Sequence, residues 1–166
     1  GFELSGSAAG NYKLITQPAD TTADITAKEI TINGATVEGS KVYDGTVEAK
    51  ITNAGTLSDN YDGENLTIVT GSAAYDNKNV GTGKTVAFTG FALAGDAAVN
   101  YKLIAQPTDT TADITVKEIT INGAAVESSR IYNGTTDAKI TNAGAPSVNY
   151  DGENLKVAAG KAAYDN

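Results

Sequence analysis

The chain has 166 residues, with 12 Lys and Arg against 20 Asp and Glu for a net charge of −8, and it lacks Cys, His, Met and Trp. Without Cys or His there is no disulfide framework, no thiolate or imidazole zinc site and no Ser-His-Asp or Cys-His catalytic group. The acidic balance disfavours nucleic acid and anionic lipid as partners, and no apolar run nears the ~20 residues of a membrane-spanning helix.

In chain order, Asn11 to Ile15 lead into a polar stretch, Gln17 to Thr22, and then Ala23-Asp24-Ile25-Thr26. Lys28-Glu29-Ile30-Thr31-Ile32 opens a run of period-two alternation. Val47, Ala49 and Ile51 alternate with Glu48, Lys50 and Thr52; Leu66 and Ile68 alternate with Asn65 and Thr67; Val86 and Phe88 flank Ala87; Tyr101 and Leu103 flank Lys102. Each set puts its large residues on one strand face. Turn signals separate the runs at Asn33-Gly34, Asp44-Gly45, Asn53-Ala54-Gly55, Asp62-Gly63, Gly81-Thr82-Gly83 and Gly95-Asp96. The one helical candidate is a single turn near Asp96 to Asn100. Val, Ile, Leu and Phe make up only 33 of the 166 residues, near the ~20% level at which charged chains lose their fold. Their alternation nevertheless predicts a folded all-β chain with a thin core.

The chain repeats itself. Asn11-Tyr12-Lys13-Leu14-Ile15 returns as Asn100-Tyr101-Lys102-Leu103-Ile104, an offset of 89, and Tyr43, Tyr61 and Tyr75 return at the same offset as Tyr132, Tyr150 and Tyr164. Residues 1–77 aligned on 90–166 give 55 identities in 77 positions without an insertion. That is a duplicated structural unit. Two full periods need 178 residues, 12 more than the chain has, and a counterpart of Lys78 to Thr89 is what the second copy lacks. The sequence therefore reads as a window on a longer array. With junctions near Ala27/Lys28 and Val116/Lys117, residues 1–27 are the end of one repeat, 28–116 a complete repeat and 117–166 the start of another. No Gly or Pro lies within Ala23 to Ile32, so the junction is expected to be stiff. Six or seven strands in such a unit predict an immunoglobulin-like β-sandwich, with a curved β-grasp-like sheet as the alternative.

Four blocks occur in fixed order: Lys41-Val42-Tyr43-Asp44-Gly45-Thr46, Lys78 to Val86, Asn100-Tyr101-Lys102-Leu103 and Thr111-Ala112-Asp113-Ile114-Thr115. This succession resembles the YDG/MBG-type tandem repeats of large bacterial surface and secreted adhesins, such as filamentous-haemagglutinin-like exoproteins and autotransporter or wall-anchored adhesins. The second copy departs from the pattern at Asn133 and stops before the Lys78 block. The resemblance implies an extracellular or cell-surface stalk or adhesin repeat and no catalytic residue.

Several segments invite a chemical reading. Asp59 to Asn65 sets oxygen ligands around Gly63, but Tyr61 occupies a ligand position of a calcium loop and Val148 replaces Asp59 in the second copy. Gly81-Thr82-Gly83-Lys84-Thr85 lacks the first Gly of a phosphate loop and runs on as strand, so a hairpin turn is expected there. The Tyr pairs at 12/101, 43/132, 61/150 and 75/164 suit a glycan platform or, better, core bulk with a hydroxyl at the sheet rim. A Lys–Asn isopeptide bond needs those two groups and an acid together in an apolar core. Paired glycosidase carboxylates have no support beyond scattered acids.

The expectation is therefore a non-enzymatic structural repeat, with no catalytic, cofactor-binding or metal residue and no cofactor. Its expected partners are neighbouring repeats or identical chains and, alternatively, a host glycan or protein. Neither nucleic acid nor membrane insertion is expected. A third possibility is a fibre subunit in which residues 117–166 of one chain pair with 1–27 of the next.

Overall fold

The computed structural model describes residues 1–61, 63–150 and 152–165. The strands are β1 (Lys28–Ile30), β2 (Ile32–Asn33), β3 (Thr36–Val37), β4 (Ser40–Val42), β5 (Glu48–Ala49), β6 (Ile51–Asn53), β7 (Thr56–Leu57), β8 (Thr67–Val69), β9 (Ser72–Tyr75), β10 (Gly81–Thr89), β11 (Ala92–Ala94), β12 (Tyr101–Leu103) and β13 (Thr110–Thr115). Beyond them come β14 (Ile121–Asn122), β15 (Ala125–Val126), β16 (Asp137–Ala138), β17 (Ile140–Asn142), β18 (Ala145–Pro146) and β19 (Ala162–Ala163). Two 3-10 turns, Ala9–Asn11 and Asp96–Asn100, complete the structure, and no α-helix occurs among the described residues. The fold is all-β, as the alternation predicts.

The largest sheet has the order β4-β13-β10-β9-β5. Its long central strand, β10, runs antiparallel to both β9 and β13, and β13 runs parallel to β4. Short ladders, β1 parallel to β12 and β2·β7, β3·β6 and β8·β11 antiparallel, curl round the same interior and give the sheets a partly barrel-like course. Ile32, Ala73, Tyr75, Val86, Phe88, Phe91, Ala112 and Ile114 form the main core, with Phe88 and Phe91 packed edge to face at 5.8 Å. Ile30, Leu66, Ala97 and Tyr101 form a second, smaller cluster. Gly71 is fixed by packing, since a Cβ there would fall 2.0 Å from the Thr89 carbonyl oxygen.

Among the described residues every buried side chain lies between Ile30 and Ile114, so one domain holds the whole core. Residues outside it provide an internal comparison. Ile114 is 1% exposed and its counterpart Ile25 is 101% exposed; Phe91 and Phe2 stand at 4% and 69%, and Tyr101 and Tyr12 at 6% and 73%. The same residues in nearly the same local sequence are buried where their partner strands are present.

What persists outside the core is local. The Gln106 amide clamps the Phe91 backbone N–H and C=O, and Gln17 clamps Phe2 in the same way. The pairings β14·β18, β15·β17 and β16·β19 repeat β2·β7, β3·β6 and β5·β9. Among the described residues of 1–27 and 117–165 the parallel ladders have no counterpart.

One expectation is corrected here. The Gly81-Thr82-Gly83 segment is not a hairpin turn. The turn joining β9 to β10 lies at residues 76–80, and Gly81 to Gly83 open β10 with a register shift against β13. Gly83 has φ +59°, which a β-bulge takes up readily.

Candidate functional site

Two polar clusters mark where the chain leaves and enters the domain. At the exit, β4 runs beside the last strand, β13, and the Tyr43 N–H donates to the Thr115 carbonyl at 2.8 Å. Strand β4 turns Lys41 inward over the loop that follows. Its Nζ meets Asp44 Oδ1 at 2.8 Å, the Thr46 carbonyl and hydroxyl each at 3.0 Å and the Glu48 carbonyl at 2.9 Å. It also lies 5.5 Å from the Tyr75 ring centre, a cation–π contact. Asp44 Oδ1 in turn accepts the Thr46 N–H and hydroxyl, both at 2.9 Å.

Partial burial alone would raise the Asp44 carboxyl. The hydrogen bonds from Lys41 and Thr46 outweigh it and bring the group down to about 2. Burial, with Asp113, Glu38 and Asp44 nearby, pushes the Tyr75 phenol up, and its hydroxyl donates to the Asp113 carbonyl at 3.1 Å. Gly45 completes the turn with φ +80°.

The second copy keeps this architecture with different residues. Arg130 stands for Lys41 and donates to the Thr135 hydroxyl at 3.1 Å and to the Thr135 carbonyl. Asn133 stands for Asp44 and accepts the Thr135 N–H at 3.2 Å. Arg130 lies 5.6 Å from the Tyr164 ring centre, as Lys41 does over Tyr75. The Lys–Asp pair of one copy has become an Arg–Asn pair in the other, which keeps the loop and drops the carboxylate.

At the entry, Lys28 heads β1. It pairs with Asp59, reaches the Tyr61 hydroxyl at 3.3 Å and sits 4.4 Å from that ring's centre. Hydrogen bonds to Asp59 and Tyr61 raise the Lys28 ammonium, and Lys28 in turn lowers the Asp59 carboxyl. The Tyr101 hydroxyl donates to Glu64 and accepts the Tyr61 N–H at 3.2 Å, while burial and Glu64 push that phenol up.

These contacts decide where the sequence candidates stand. In the segment Asp59 to Asn65, Asp59 faces Lys28 and Glu64 faces Tyr101, while Asp62 lies outside the described residues. Among the described residues no three acidic groups converge on a point that a metal ion would fill. Lys84 is held by Asp76 and Asn77, each at 2.8 Å, rather than by a phosphate-binding turn. That trio brings Lys, Asn and an acid together, but Asp76 and Asn77 are exposed. The Lys84 hydrogen bond lowers the Asp76 carboxyl, and the trio lacks the apolar enclosure that an isopeptide bond needs. Among the described residues no polar or charged side chain is fully buried. Of the tyrosines, Tyr75 and Tyr101 are core residues with bonded hydroxyls, whereas Tyr12, Tyr61 and Tyr132 are exposed.

The sequence singles out the block Lys41 to Thr46, but not Lys41 and Lys28 as the side chains that hold the two clusters. For Lys41 the signal is the joint change at 41/130 and 44/133 between the copies, whereas Lys28 has the identical Lys117 as its counterpart.

Among the described residues no helix is long and apolar enough to cross a membrane. The family model of the YDG domain matches residues 26–112, 87 of the 166 residues. No curated protein and no solved structure matches the chain.

Proposed function

The chain belongs to the YDG domain family, and from that premise we propose that it is a non-enzymatic structural repeat of a bacterial cell-surface or secreted adhesin, acting as a stalk or spacer. The observation that carries this reading is the unbroken 89-residue period in which residues 28–116 enclose their own core. Each such unit adds length by burying its own residues, and the acidic surface keeps arrays apart and soluble. We read the unit as a sandwich: the five-stranded sheet forms one layer and the short ladders the other, with Val86, Phe88 and Ile114 between them. Small-angle scattering on chains of two, three and four complete units tests the stalk. The maximum dimension should grow by a constant step per unit, and a plateau would count against it.

A second reading has its own observation. A cleft of about 410 Å³ in residues 117–165 is lined by Ile121, Val126, Ile140, Val157 and Ala162. Their counterparts Ile32, Val37, Ile51, Ile68 and Ala73 belong to the main core or pack against it, alongside Phe91 and Ile114. Phe2 and Ile25, the exposed copies of Phe91 and Ile114, are suited to the same cleft in another chain. On this reading the chains form a fibre by strand complementation. Light scattering after size-exclusion chromatography should then show mass rising with concentration, and Ile25→Asp should abolish the rise. A constant 16.9 kDa would leave the stalk alone.

A further inference from the structure

The segment after the domain touches it through side chains that the stalk reading does not use. Tyr150 packs edge to face on Tyr43, ring centres 5.7 Å apart and planes at 76°. The same ring covers Gly45, where a Cβ would fall 2.9 Å from Tyr150 Cγ and 3.0 Å from its Cβ. Lys78 Nζ donates to Glu153 at 3.1 Å, with Glu153 only 21% exposed. Tyr43 and Gly45 belong to the loop beside Thr115, where the chain leaves the domain.

Tyr150 and Glu153 are the counterparts of Tyr61 and Glu64, which stand at the entry beside Lys28. An exit loop of one unit therefore meets the entry turn of the next. Tyr61 is exposed, Tyr132 is exposed, and nothing lies within 4 Å of a Cβ placed on Gly134.

We propose that Tyr43, Gly45 and Lys78 of one unit and Tyr150 and Glu153 of the following unit form a joint that recurs every 89 residues and fixes successive units relative to one another. The exit loop Tyr132 to Gly134 and the entry turn Tyr61 to Glu64 are the same joint's two surfaces, each of which takes a further unit of the same kind. Because the two surfaces of the joint differ, the contact is head to tail, and it propagates along an array without closing on itself. The glycine of the family motif then has a reason beyond its turn: any side chain at position 45 would hold Tyr150 off.

The inference rests on the stalk reading but is tested separately, by proximity within one chain. A carbodiimide condenses a lysine with a carboxylate it touches into an amide, with loss of water, and leaves both rings in place. Lys78 and Glu153 lie 3.1 Å apart across the joint, and Lys102 and Glu29, 3.2 Å apart inside the domain, are the reference pair. Peptide mass spectrometry should find both cross-links, and Tyr150→Ala should lower the first relative to the second at least ~10-fold, as the loss of held neighbours does. An absent Lys78–Glu153 link, or one that Tyr150→Ala leaves unchanged, would overturn the joint. A second measurement covers a variant that fails to fold. Tyr150→Ala should shift the backbone amide resonances of Tyr43, Gly45 and Lys78, and Tyr61→Ala should leave them in place; no difference between the two would also overturn it. A Lys78–Glu153 cross-link beside a scattering dimension that plateaus would keep the joint and sink the stalk.

Discussion

Lys41 offers three ammonium protons to four oxygen acceptors, two of them backbone carbonyls, on a side chain only 15% exposed. Removing the ammonium takes the one donor that all four acceptors share. Lys41→Met should therefore cost about 1–3 kcal/mol, read as a lower urea midpoint at unchanged m-value. Lys41→Arg should recover part of that loss, because Arg130 makes two of the four connections, to the Thr135 hydroxyl and carbonyl, in the second copy. Asp44 is a different case. Its carboxylate is about half exposed, so solvent screens the pair and Asp44→Asn should cost less than about 1 kcal/mol at neutral pH. Its signature is the pH dependence. Asp44 titrates near 2 in the fold against an ordinary 3.8, so between those values the unfolded chain binds more protons. The stability it contributes is complete above that range and is lost as pH falls through about 2. Asp59 and Asp76 are also lowered and add slope of the same sign. Acid titration of the urea midpoint should thus be shallower, but not flat, in Asp44→Asn.

At the scale of the strand, what a residue contributes depends on partners far along the chain. Ile114 and Ile25 sit in the same sequence, Thr-Thr-Ala-Asp-Ile-Thr, yet only Ile114 is enclosed. Ile114→Ala should cost about 2–5 kcal/mol, and Ile25→Ala should fall within about 0.5 kcal/mol of no effect. Calorimetry of the two variants would measure both, and equal losses would mean that residues 1–27 are packed in solution. The same contrast explains how far the sequence could be read. Alternation of Ile30 with Ile32, and of Val86 with Phe88, gave the strands and their inward faces, because side chains alternate along any strand. It could not give the partners. The β1·β12 and β4·β13 ladders join residues about 70 positions apart, and nothing local records such pairings. The glycines at 81 and 83 misled for a related reason, since a bulge and a turn draw on the same residue types. Lys41 was hard to read for the opposite reason: a lysine between Ser40 and Val42 reads as solvent-facing, and only the fold of the next loop encloses it.

Across the whole molecule, stability is unevenly spread. Residues 28–116 hold both core clusters, whereas the segments on either side keep only turns and short hairpins. Amide exchange should follow that division, with protection in β9, β10 and β13 approaching the global unfolding energy and the amides of 12–26 exchanging near the rate of an open chain. A sharper prediction concerns completion. If residues 117–165 are open only for want of the strands that would pair with them, then adding a copy of residues 78–116 after Asn166 supplies those strands. The extended chain should bury Ile119 and Ile121 as Ile30 and Ile32 are buried now. It should also roughly double the surface exposed on unfolding, and the urea m-value summed over its transitions should rise in proportion. An unchanged m-value would mean that the second copy, with Asn133, Pro146 and Val148 in place of Asp44, Leu57 and Asp59, has lost the ability to close a core of its own.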